Sequence, residues 1–179
     1  MPHRTGIYIV PTDHWYIERT VWVIAGAFLT GSTALALLSD PRWILLTTVT
    51  GLASIAVALT GFCVVGNVLI RLGFRPRLGD AARAGGGWYF MQTDRWYLER
   101  RIYLVVGINI TIASLLSLAW TPWWLAFIGF VGLAMFWFAA TGFCIMANGL
   151  YWLGAEPRLA PECARGRAPR PAKLAGFTR

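Results

Sequence analysis

Thr12-Asp13-His14-Trp15-Tyr16-Ile17-Glu18-Arg19 returns 81 residues later as Thr93-Asp94-Arg95-Trp96-Tyr97-Leu98-Glu99-Arg100. The same shift, without a gap, lays Gly26 on Gly107, Pro41 and Trp43 on Pro122 and Trp124, and Pro76-Arg77-Leu78 on Pro157-Arg158-Leu159. It also lays Thr60-Gly61-Phe62-Cys63 on Thr141-Gly142-Phe143-Cys144 and Asn67 on Asn148. Between 7–78 and 88–159, 28 of 72 positions are identical. Shared hydrophobicity alone does not give that agreement, so the chain is a tandem duplication.

What is duplicated follows from the uncharged runs between these markers. Residues 20–39, 43–70 and 102–155 carry no Asp, Glu, Lys or Arg. A transmembrane helix needs about 20 mostly apolar residues. The third run is long enough for two, divided at Thr121-Pro122, because proline disfavours helix just before it and suits the first turn of the next. The runs predict four transmembrane helices, near 19–39, 43–71, 101–120 and 123–152. The first begins too late, and too close to Glu18-Arg19, for a cleaved signal peptide. Composition agrees. Of 179 residues 57% are hydrophobic and 13% charged, and the mean hydropathy is +0.56. A soluble domain carries about 25% charged residues, and one of this size could not hide so much apolar surface. The ten Trp, six Tyr and ten Phe suit a membrane protein with interfacial aromatics.

The expected fold is therefore all-α and integral to a membrane, with two tandem two-helix hairpins. An even number of spans per unit leaves both units facing the same way, related by a pseudo-two-fold along the membrane normal. The units are 1–78 and 88–159, joined by a linker at 79–87 and followed by a basic, Pro-rich tail at 160–179. The net charge of +8 is not a nucleic-acid footprint, because fifteen of the sixteen Lys and Arg lie on one side, in the N-terminal segment, linker and tail. Only Arg42 lies in a hairpin turn opposite. The positive-inside rule then puts both termini and the linker in the cytoplasm.

The unit resembles the two-helix domain of unknown function in the rhodanese-associated family of small bacterial inner-membrane proteins. Its pattern is Glu-Arg before the first helix, Gly within it and Gly-Phe-Cys near the end of the second. Here these are Glu18-Arg19, Gly26 and Gly61-Phe62-Cys63, then Glu99-Arg100, Gly107 and Gly142-Phe143-Cys144. The resemblance covers about 14–74 and 95–155. It implies a covalent version of a dimer that the family often forms. No rhodanese domain is present, so sulfur transfer is not implied. Val64 and Ile145 follow the cysteines where some members have proline.

Thr60, Cys63 and Asn67, and again Thr141, Cys144 and Asn148, are spaced to share one helix face. Cys63 would lie roughly 12 Å by helix rise from Arg71, inside the cytoplasmic leaflet. Such a stripe makes either a tight helix contact or a thiol pair for a persulfide or soft metal. Nothing beside it serves as base or completes a metal shell, which favours the packing role. Thr12-Asp13 and Thr93-Asp94 suit helix N-caps. Trp15-Tyr16 and Trp96-Tyr97 suit the headgroup level, with Glu18-Arg19 and Glu99-Arg100 forming local ion pairs at the membrane edge. Asn109, where the first unit has Phe28, is expected to face protein. His3 and His14 lie outside the spans, and no haem or other cofactor is implied.

These residues suit a non-catalytic accessory protein whose partners are the bilayer and other integral membrane subunits, with no nucleic acid and no soluble substrate. The alternative is a small channel or carrier for a reduced sulfur species or anion. Against it stands the lack of charge within the spans. No nucleophile–base pair supports an enzyme.

Overall fold

The structure, a computed structural model, describes residues 6–78 and 87–160. The linker and the tail, with Cys163, lie outside the described residues apart from Gly87 and Ala160. Six helices follow one another: α1 (Ile17–Leu38), α2 (Ile44–Thr60), α3 (Val64–Arg71), α4 (Leu98–Ala119), α5 (Trp123–Thr141) and α6 (Ile145–Trp152). A 3-10 turn, Pro41–Trp43, leads into α2. Among the described residues there is no strand beyond two isolated antiparallel bridges. Four helices are long and apolar enough to cross a membrane: Ile17–Leu38, Pro41–Thr60, Leu98–Ala119 and Trp123–Thr141. Between 28 and 39% of each is buried within the chain. Much of the rest is exposed apolar surface, as at Val49, Leu52, Phe130 and Trp137, of the kind that lipid or another membrane protein covers.

The expected helices at 43–71 and 123–152 are each broken in two, at the Gly-Phe-Cys motif. Gly61 and Gly142 stand in the left-handed region, at φ 77° and 74°, and close α2 and α5. Cys63 and Cys144 are then extended and open α3 and α6. Only glycine takes that conformation cheaply. A Cβ would also collide with backbone from the other half, at 2.3 Å from the Met91 carbonyl oxygen for Gly61 and 2.2 Å from that of Val10 for Gly142. Hydrophobic periodicity runs through the motif, and that is why the sequence reads as one long helix.

Each hairpin is packed more on the other than on itself. The most extensive helix interfaces are α1 on α5 and α2 on α4. Glycine allows both. A Cβ on Gly26 would stand 2.9 Å from the Gly132 carbonyl oxygen, and one on Gly107 would stand 2.8 Å from that of Gly51. Close backbone approach at small residues is how membrane helices gain van der Waals contact where lipid removes the hydrophobic drive. Hydroxyls add to it: Ser32 bonds Thr47 between α1 and α2, and Thr48 bonds Ser114 at 2.9 Å between α2 and α4. Trp22 of α1 stacks on Phe138 of α5, with ring centroids 4.3 Å apart.

Candidate functional site

The polar side chains that recur in both halves converge around the two helix breaks. Glu18 and Glu99, in the first turns of α1 and α4, are 1% and 0% exposed. Among the described residues, neither forms an ion pair with its neighbouring arginine. The backbone N–H groups of Arg77 (3.1 Å) and Leu78 (2.6 Å) donate to Glu18, as does the Tyr89 hydroxyl at 2.9 Å. Glu99 accepts from the N–H groups of Arg158 (3.0 Å) and Leu159 (2.8 Å) and from the Tyr8 hydroxyl at 2.8 Å. A buried carboxylate is tolerable only when hydrogen-bonded in this way. Each binds the segment that ends its own half and a tyrosine that begins the other. Burial first, then the Glu18 charge, pushes the Tyr89 hydroxyl well above the ordinary tyrosine value, so it remains a donor.

The same two tyrosines are held by their backbone. Asn67 Oδ1 accepts the Tyr89 N–H at 2.7 Å while its Nδ2 donates to the Tyr89 and Cys63 carbonyls at 3.0 and 2.8 Å. Asn148 treats Tyr8 alike: Oδ1 accepts its N–H at 2.7 Å, and Nδ2 donates to the Tyr8 and Cys144 carbonyls at 3.0 and 2.9 Å. Beside them Met91 N–H donates to the Gly61 carbonyl (2.8 Å) and Val10 N–H to that of Gly142 (2.9 Å).

The arginines close the breaks. Ending α2 at Thr60 and α5 at Thr141 leaves carbonyls without intrahelical donors. Arg100 Nε donates to the Ala58 carbonyl at 2.6 Å, and Arg19 Nε to the Ala139 carbonyl at 2.7 Å. A guanidinium there also favours the helix C-terminal dipole. Arg19 goes on to the carbonyls of Thr12 and His14 and lies 4.1 Å above the Trp15 ring. Arg100 goes on to those of Thr93 and Arg95 and lies 4.0 Å above Trp96.

Several expected placements change. Thr60, Cys63 and Asn67 do not share a helix face, because the break divides them. Thr60 and Thr141 are exposed, each bonded to the carbonyl four residues back. Cys63 is buried and accepts the Gly66 N–H at 3.3 Å, and Cys144 is partly exposed. Burial pushes the Cys63 thiol up, the opposite of activation. Thr12-Asp13 and Thr93-Asp94 do not cap the helices. Tyr16 and Tyr97 hold the N-cap positions without a side-chain bond, and the carbonyls of Arg75 and Glu156 accept the first N–H groups instead. Trp15 and Trp96 are exposed, whereas Tyr16, Tyr97, Arg19 and Arg100 are buried. Asn109 faces away from the bundle, its amide donating to the Val105 carbonyl at 2.7 Å.

Tyr8 and Tyr89 were not among the expected site residues. Their signal is in the repeat, since they are identical at the 81-residue shift and stand just before its most similar stretch. Among the described residues no three His, Cys, Asp or Glu side chains are grouped to hold a metal ion. No family model, curated protein or solved structure matches the chain.

Proposed function

We propose that the chain is a non-catalytic accessory protein of a bacterial inner membrane, a four-helix unit that packs beside a larger membrane complex. One observation carries the reading. The recurring polar side chains, Glu18 and Glu99, Arg19 and Arg100, Asn67 and Asn148, are engaged in contacts that hold one half on the other. Groups bound on several sides by the fold's own backbone are poorly placed to carry protons, ions or substrate.

The face for a partner is on α5. Phe127, Phe130, Leu133 and Trp137 are exposed there, Trp137 at 64%, at spacings that follow one side of the helix. The aligned residues of the first half are Leu46, Val49, Leu52 and Ala56. The second copy therefore carries more aromatic bulk than the first on an outward face, which suits packing against another membrane helix.

Three finer inferences accompany this one. The halves are related by a pseudo-two-fold along the membrane normal, which the paired Tyr–Glu, Tyr–Asn and Arg–carbonyl contacts support. Both termini are cytoplasmic, which the fifteen-to-one basic asymmetry supports. The unit belongs with the rhodanese-associated two-helix family, on the repeated Glu-Arg, Gly and Gly-Phe-Cys pattern. A carrier of sulfur species draws on a Thr-Cys-Asn face that the helix breaks divide, which leaves it only the family's rhodanese link.

The test is a mild-detergent pull-down with mass spectrometry on the full chain and on Phe130→Ala with Trp137→Ala. A stoichiometric set of membrane subunits that the double variant loses is the expected result. Recovery of the chain alone would contradict the proposal. Reporter fusions at Arg42 and after Arg179 test the orientation, with the cytoplasmic signal expected only at the second.

A further inference from the structure

The turn that joins α1 to α2 forms the mouth of an open groove of about 370 Å³, lined by Asp40, Arg42, Trp43, Leu45, Leu46 and Val49. Its two ends differ in chemistry. At the turn stand an exposed cation and an exposed anion, Arg42 and Asp40. Below them the wall is the apolar side of α2. Asp40 Oδ1 accepts the Arg42 backbone N–H at 2.8 Å, which fixes the carboxylate beside the turn and leaves Oδ2 open. Among the described residues no ion pair joins the two side chains. The aligned turn of the second half has Thr121 and Trp123 at these positions, so the charge pair belongs to one hairpin only.

We propose that this groove binds a zwitterionic phospholipid with a primary amine, of the phosphatidylethanolamine class. Arg42 takes the phosphate, Asp40 takes the ammonium, and an acyl chain runs along Leu45, Leu46 and Val49. The proposal rests on the four helices crossing a bilayer, which puts the turn at its surface and α2 in its hydrocarbon. Charge complementarity selects the headgroup. A cation and an anion side by side match a zwitterion, whereas phosphatidylglycerol offers the same phosphate to Arg42 but no ammonium to pair with Asp40. A primary ammonium donates hydrogen bonds to a carboxylate and a quaternary one does not, which sets the site against phosphatidylcholine. Arg supplies the forked donor that suits phosphate.

The experiment is native mass spectrometry of the full chain in mild detergent. It is titrated with phosphatidylethanolamine, phosphatidylglycerol and phosphatidylcholine of identical acyl chains, with inorganic phosphate as competitor. One phosphatidylethanolamine is expected to bind roughly fivefold more tightly than either other lipid, the scale of one interfacial charge contact. Arg42→Gln should lose that binding. Asp40→Asn keeps an acceptor for the Arg42 N–H and should erase the preference over phosphatidylglycerol. Val49→Trp, which fills the groove, should weaken all three. Both charge substitutions lie in an exposed turn, and unchanged thermal unfolding checks that the fold survives. Equal retention of the lipids by the parent chain, or retention that ignores both charge substitutions, would overturn the proposal. Displacement of the lipid by inorganic phosphate would overturn it too, by making the site one for a free anion.

Discussion

The hydroxyl of Tyr89 donates to the carboxylate of Glu18 at 2.9 Å, across 71 residues of sequence and from one half of the chain to the other. Tyr8 and Glu99 make the reciprocal bond at 2.8 Å across 91 residues. Removing one hydroxyl leaves a buried carboxylate short of a donor. Tyr89→Phe and Tyr8→Phe should each lower stability by about 1–3 kcal/mol, the usual cost of leaving a buried acceptor without its donor. Thermal unfolding in detergent reads the loss, with the helical content of the folded state unchanged.

Arg100 caps the α2 carbonyl of Ala58 through Nε and holds the lead-in carbonyls through its fork. Lysine keeps the charge and loses the fork. Arg100→Lys should therefore destabilise nearly as much as Arg100→Met. Rescue to the parent melting temperature by lysine would mean that only charge matters there.

Gly61 and Gly142 are left-handed and meet backbone from the other half, so Gly61→Ala should cost well over the roughly 1 kcal/mol of an ordinary glycine substitution. A Cβ on Gly31, in the interior of α1, meets nothing within 4 Å. Gly31→Ala should be neutral or stabilising by about 0.5–1 kcal/mol. Equal effects at the two sites in unfolding measurements would contradict the assigned breaks.

Cys63 is buried, and its thiol is pushed up by that burial. With Cys163 replaced by serine, a maleimide at neutral pH should label the partly exposed Cys144 well before Cys63. Mass spectrometry of the labelled peptides gives the order, and Cys63 reacting first would restore a reactive thiol to the site.

Arg158 reaches the Asp94 carboxylate at 2.9 Å, and that hydrogen bond holds Asp94 below the usual carboxylate range. A depressed carboxyl stabilises the fold above its unfolded value, about 3.9, and the contribution is lost as pH falls through the lower folded value. The pair is exposed and the effect small. Between pH 6 and pH 3, Arg158→Gln should remove a small part of the fall in melting temperature and leave the rest.

The sequence announces the spans because uncharged runs of helix length leave little choice, and the 81-residue shift divides them into two units. The breaks at Gly61 and Gly142 are hidden, because Phe62, Cys63 and Val64 continue the apolar pattern and a single glycine is common in membrane helices. Glu18-Arg19 stands out by repetition, yet adjacency suggests a local pair where the fold sends each side chain to a different long-range partner. Tyr8 and Asn67 look unrelated until the halves are brought together, since their contacts cross from one repeat to the other.

The central claim is that each half is clamped by the tyrosine of the other. The most direct measurement is a pair of double-mutant cycles on unfolding stability in detergent, Tyr89→Phe with Glu18→Gln and Tyr89→Phe with Glu99→Gln. The contacts predict a coupling energy of about 0.5–3 kcal/mol in the first cycle, as for residues sharing a hydrogen bond, and additivity within about 0.5 kcal/mol in the second. Additivity in the first cycle, or equal coupling in both, would contradict it.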